Sequence, residues 1–174
     1  MAATYTPIAS ITLGAAAASI TFSSISQTYT DLVMVMSPAN NTSVQDGTEL
    51  FSINSDTGTN YSFTELYGNG SSAASIRRTG TAYIGLGFST TIDTTLGSTT
   101  NVTHFMNYSN TTTNKTILNR ANNVGSTYPG TSLIAGLWRS TAAINSLTIL
   151  TTTGTRNFAS GSTFNLYGIQ AGNA

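Results

Sequence analysis

Cysteine is absent from the chain, so neither a disulfide framework nor a thiolate metal site can be built. Charge is almost as scarce: six Lys and Arg balance six Asp and Glu, and the formal net charge is zero. Charged residues make up 7%, against about 25% in an ordinary soluble domain. Nucleic-acid binding depends on clustered cations that neutralise phosphates, which one lysine and five scattered arginines do not supply. The same shortage excludes an electrostatic membrane-surface role. The longest weakly polar run, ITLGAAAASI at 11–20, is far shorter than the roughly 20 residues of a bilayer span. No Lys or Arg precedes Arg77, so this run lacks the positive flank of a secretory signal. The expectation is synthesis in a cytoplasm without a cleaved leader. No stretch of ten or more residues carries a 3.6-residue apolar stripe, which argues against a substantial helix.

In place of charge stand 33 Thr, 22 Ser and 16 Asn, together 71 of 174 residues. Thr is β-branched and favours strands, while Ser, Asn and Gly favour turns. Disorder is excluded because Leu, Ile, Val and Phe total 37 and recur with strand spacing. Eleven segments read as short strands: 8–13, 19–25, 32–36, 50–53, 61–67, 82–88, 102–108, 116–121, 133–139, 146–150 and 163–169. Nine or ten of them are expected to pair. LVMVM at 32–36 is apolar on both faces and should be the most buried. In the segment 82–88, Gly85 and Gly87 point to close backbone approach, a bulge or a flat contact surface. The terminal strand puts Phe164 and Leu166 on one face and Tyr167 and Ile169 on the other, so both faces need cover. Evenly spaced short strands without a composition break predict one domain over 1–174. Its expected fold is an all-β antiparallel β-sandwich, jelly-roll-like, of nine to ten short strands.

Reactive groups are few. His104 is the one histidine and sits mid-strand in NVTHFMN, with no Gly-x-Ser-x-Gly elbow to make it the base of a triad. Its expected role is that of a half-buried strand residue. Asp31, Asp46, Glu49, Asp56, Glu65 and Asp93 are the carboxylates from which a glycosidase pair would be drawn, and no spacing pairs them. NSDTGTN at 54–60 offers oxygens from Asn54, Asp56 and Asn60, but lacks the closing glutamate of a calcium loop. No catalytic residue, cofactor or metal ligand is therefore assigned. Two features suit contact better than chemistry. Arg77-Arg78 is the only basic pair, and a pair of guanidinium forks can clasp carboxylates on a partner. Trp138-Arg139 joins the only tryptophan to an arginine, two residue types enriched at interface hot spots, although a lone tryptophan in a sandwich is more often a core residue.

The opening YTPIASITLGAAAASITFSSISQTYTDLVMVMS resembles a stretch found in tailed-bacteriophage and prophage virion proteins. The likeness continues through DTGTNYSFTELYGNGSSAAS, MNYSNTTTNKTIL, GLWRSTAAINSLTI and FASGSTFNLYGIQA, and so covers most of the chain. The resemblance implies a β-sandwich of the jelly-roll kind, often trimeric, and carries over no catalytic motif. A start at Met1 with no shaft or repeat region favours a free-standing subunit over the tip of a fibre. The function expected on these grounds is a non-enzymatic virion structural protein, a capsid decoration (cement) protein. It would act as a homotrimer bound to the major capsid protein or other virion proteins on the capsid surface. The alternative is a fibre or receptor-binding module that stacks host glycan on Tyr61, Tyr67 and Tyr83. A polysaccharide depolymerase using Glu65 or Asp56 is a third reading.

Overall fold

Twelve strands and no helix make up the described residues, which in this computed structural model are 4–42, 49–87, 94–97, 99–124, 129–151 and 156–170. In chain order the strands are β1 (Tyr5–Thr12), β2 (Ser19–Phe22), β3 (Asp31–Ser37), β4 (Glu49–Ile53), β5 (Tyr61–Gly68) and β6 (Ala73–Thr81). They continue as β7 (Ile84–Gly85), β8 (Thr99–Met106), β9 (Lys115–Asn123), β10 (Gly130–Trp138), β11 (Leu147–Thr151) and β12 (Thr163–Ile169). All pairings are antiparallel. An eight-stranded sheet runs β1-β12-β3-β8-β9-β10-β5-β6, and a four-stranded sheet runs β2-β11-β4-β7.

The order β1-β12-β3-β8 facing β2-β11-β4-β7 is the nested arrangement of a jelly roll, in which early and late strands alternate across each sheet. Two insertions enlarge it. The hairpin β5–β6 follows β4, the hairpin β9–β10 follows β8, and both add to the same sheet, doubling its width. The sandwich expectation holds, with twelve strands in place of nine or ten.

The core fills the space between the sheets. Leu32, Met34 and Met36 of β3 are fully buried, as are Phe164 and Leu166 of β12, and Phe51, Ile53, Leu147 and Ile149 face them from the small sheet. Phe51 meets Phe105 edge-on at 5.5 Å, and Phe158 meets Phe164 at 5.1 Å. Each such side chain contributes about 1.5–3 kcal/mol on leaving water. The central LVMVM strand is buried at four of its five residues, outward-facing Val33 being only 3% exposed, but β4, buried at all five positions, replaces it as the most buried strand.

The strand read at 82–88 is shorter than expected, since β7 holds only Ile84 and Gly85, and Phe88 lies outside the described residues. Close approach is nevertheless real there. A Cβ on Gly87, whose φ is +113°, would stand 2.1 Å from Ser132 Oγ; one on Gly136 would stand 2.8 Å from Ile84 Cδ1. The segment 84–87 is therefore pressed onto β10. Two residues along β10 from Gly136, Trp138 stacks with Tyr61 at 6.3 Å with 17° between their planes.

Candidate interaction surface

Strand alternation sends every second residue of the eight-stranded sheet away from the core. The pairings place Tyr167, Val33, His104, Leu118, Ala135, Thr64 and Arg77 in one row across that outer face. A neighbouring row holds Asn165, Val35, Val102, Arg120, Leu133, Leu66 and Ser75. The face is thus apolar over much of its width, with Leu66 55% exposed, Leu133 40% and Leu118 38%. Soluble monomers seldom leave such side chains contiguous without a use for them. A shallow groove of about 560 Å³ lies between Leu66, Leu133, Ala73, Ala74, Tyr67 and Arg120. A smaller hollow of about 250 Å³ lies beside Arg77, Thr64 and Leu137.

The four residues expected to meet a partner separate into two kinds. Arg77 and Arg78 are exposed on β6, neither makes a hydrogen bond or ion pair among the described residues, and they point to opposite sides of the sheet. Trp138 belongs to the core: it is 2% exposed, and its Nε1 donates to Asp56 Oδ2 at 2.7 Å. Arg139 is exposed, but its guanidinium binds its own chain, donating to Ser62 Oγ at 2.9 Å and to the carbonyls of Thr59 and Tyr61 at 3.2 Å. The Trp-Arg pair is placed as a brace rather than a contact surface. The tryptophan ends an inward-facing repeat on β10 shared with Ile134 and Gly136.

Asp56 is the centre of that brace. Its Oδ1 accepts from Gly58 N at 2.8 Å, and Asn60 Nδ2 reaches Oδ2 at 2.9 Å, beside the Trp138 bond. These donors, Trp138 first, hold the carboxyl below its usual pKa, against a smaller upward push from burial. The loop expected to resemble a calcium site thus has its only carboxylate occupied by its own donors. The Tyr61 hydroxyl completes the knot, accepting from Ile53 N at 3.0 Å and donating to Asp56 O at 3.1 Å. Burial pushes that phenol up to about 12.

The remaining carboxylates are dispersed. Asp31 accepts from Asn107 N at 2.5 Å at one end of the large sheet. Glu65 is buried on the inner face of β5. Glu49 is fully buried on the face of β4 that carries Phe51 and Ile53, neither of its oxygens has a hydrogen-bond partner among the described residues, and desolvation raises its pKa to about 8. Asp46 and Asp93 lie outside the described residues. Among the described residues no group of three His, Asp or Glu converges on a common point. His104 is half-buried on the outer face, between Val33 and Leu118. Of the tyrosines considered for stacking on sugars, Tyr61 is fully buried, Tyr67 borders the groove and Tyr83 is 41% exposed.

Sequence reasoning passed over Leu66, Leu118, Leu133 and Arg120. The available signal was a leucine out of phase with its strand: Leu66 opposes the Tyr61/Phe63 repeat, and Leu118 opposes Ile117.

No protein-family model matches the chain, and no curated protein matches it. Among solved structures, one titled "Structure of Eiger TNF from S. frugiperda" aligns over 83% of this chain at 12% identity, with a TM-score of 0.18. The chain spans 64% of the length of that structure's chain. A likeness at that score carries no argument.

Proposed function

We propose that the chain is a non-enzymatic structural subunit of a bacteriophage virion. In this reading it is a decoration protein that attaches to the capsid exterior as a homotrimer and stabilises the lattice. The observation that carries this reading is the outer face of the eight-stranded sheet, where Leu66, Leu118 and Leu133 stand exposed in adjacent rows around Arg120. A face of this kind suits burial against another protein, with Arg120 at its centre to fix orientation through a partner carboxylate. The jelly-roll strand order supports it by analogy, since many capsid proteins share that architecture. A trimer would engage several lattice subunits at once, and multivalency then makes modest contacts collectively strong.

The test is the number of copies per purified particle by quantitative mass spectrometry, together with their position by cryo-electron microscopy. Hundreds spread over the head support the reading, and labelling confined to the tail overturns it. Leu66→Asp with Leu133→Asp should abolish attachment while leaving the isolated protein folded.

One observation favours a second reading, a receptor-binding module for host glycan: the lining of the groove includes an aromatic residue, Tyr67, and an arginine, Arg120. Saturable adsorption to host cells, competed by a host sugar and weakened by Tyr67→Ala, would support it.

A further inference from the structure

We infer that the free edge of β6 is a strand-addition site for an extended segment of a partner protein that carries adjacent carboxylates. This rests on the reading that the chain attaches to another protein, and names how that partner is held.

Among the described residues β6 is the last strand of the eight-stranded sheet, and only β5 pairs with it. Eight of its nine residues are exposed. Its register with β5 is regular from Ala73 to Thr79, and the single irregularity falls at its end, beside Gly80 with φ +65°. A long regular edge leaves a row of backbone donors and acceptors open, and these template the pairing of another extended chain. Proline, mid-strand bulges and inward-pointing charges are the common devices against such pairing. β6 has neither a proline nor an interior bulge, and its one inner-side charge is Arg78.

Its side chains define the occupant. Arg77 projects on the outer side, in the row of Thr64 and Ala135, and Arg78 projects on the opposite side, in the row of Phe63. Among the described residues no acid pairs with them: Asp31 and Asp56 hold other donors, and Glu49 and Glu65 are buried. An incoming strand with two successive acidic residues would present one carboxylate to each guanidinium, on the two faces of the sheet. Planar forks and carboxylates form bidentate bonds in that geometry. A second copy of β6 is a poor occupant. Full antiparallel overlap sets Arg77 and Arg78 against their own equivalents, and like charges directly opposite are destabilising.

The test uses the whole chain and two synthetic peptides of nine residues, the length of β6. One carries a central Glu-Glu pair among Thr and Val, and the other replaces that pair by Lys-Lys. Amide chemical shifts and hydrogen exchange of β6 are the readouts. The Glu-Glu peptide should shift and protect the amides of β6, and the Lys-Lys peptide should bind at least about tenfold more weakly. The double variant Arg77→Glu/Arg78→Glu, at two exposed positions, should keep its melting temperature and reverse the preference between the peptides. Equal binding of both peptides, or no change at β6 with either, overturns the proposal. So does a β6–β6 dimer that forms when Arg77→Ala and Arg78→Ala are combined while the Glu-Glu peptide stays unbound, which would make the arginines guards of the edge. A chain absent from virions that still prefers the Glu-Glu peptide would overturn the virion reading and support the edge. A chain abundant on the head but indifferent to both peptides would do the reverse.

Discussion

The eight-stranded sheet ends in two edges that are treated in opposite ways. β1, at one end, carries Pro7 and a register shift between Pro7 and Ala9, and its Tyr5 closes edge-on over Tyr167 at 6.4 Å. β6, at the other, is regular for most of its length, exposed on both faces and marked by two unmatched arginines. Proline and a bulge are what a chain uses to finish an edge that must pair with nothing. The terminal strand β12 is sealed from within by this arrangement: β1 and β3 flank it, and its outer Tyr167 is covered in part by Tyr5. No second subunit is needed to explain its two apolar faces. The unfinished side of the molecule is β6, eight of whose nine residues are exposed.

That contrast can be broken or sharpened by substitution. Phe164→Ala, on the finished side, removes a fully buried ring packed on Phe158 and should cost about 3–5 kcal/mol in denaturant unfolding. If the loss is under 1 kcal/mol, the finished side is not the tightly packed one.

Glu49 should impose a pH dependence of nearly the same size. Its folded pKa of about 8 lies above the ordinary 4.5, so the folded state keeps a proton that the unfolded chain releases. Stability is then full below about pH 4.5 and declines as pH rises to about 8, by at most about 1.4 kcal/mol per unit. Thermal melts across that window should show the decline in the wild type and a flat profile in Glu49→Gln.

Asp56→Ala frees the Trp138 indole and should cost about 1.5–3 kcal/mol. Because the Asp56 pKa is lowered, its contribution is present above the ordinary 3.8 and is lost as pH falls through the folded value. Melting temperatures of wild type and Asp56→Ala should therefore converge in acid. The smallest effect belongs to the open edge: Arg77→Ala with Arg78→Ala should change stability by less than about 0.5 kcal/mol. A large loss there would mean that the arginines hold the fold rather than await a partner.

Eleven of the twelve strands left a trace in the sequence, and β12 was read to its correct ends because Phe164 and Leu166 alternate cleanly with half-buried neighbours. β6 left none. AASIRRTGT holds one large apolar residue, since a strand that buries neither face is under no demand to alternate. Burial writes periodicity into a chain, and the open edge is where burial is missing. The candidate surface was legible by half for a related reason. Arg77 and Arg78 stood out as a pair, but Trp138 and Arg139 look the same in sequence whether they face a partner or Asp56 and the Tyr61 carbonyl.

Local pattern alone determined that this chain forms short antiparallel strands with a wetted Thr/Ser/Asn exterior. Side-chain alternation and turn chemistry act over a few residues and need no knowledge of the partner strand. Which strands became neighbours was decided only when β12 lay between β1 and β3, more than 120 residues apart in sequence. The same long-range pairing stacked the hairpins β5–β6 and β9–β10 onto one sheet, aligned Leu66, Leu133 and Leu118 on its outside, and left β6 without a second neighbour. Edges and faces exist only in the assembled sheet, because backbone hydrogen bonds between distant strands, not local preferences, decide where pairing stops.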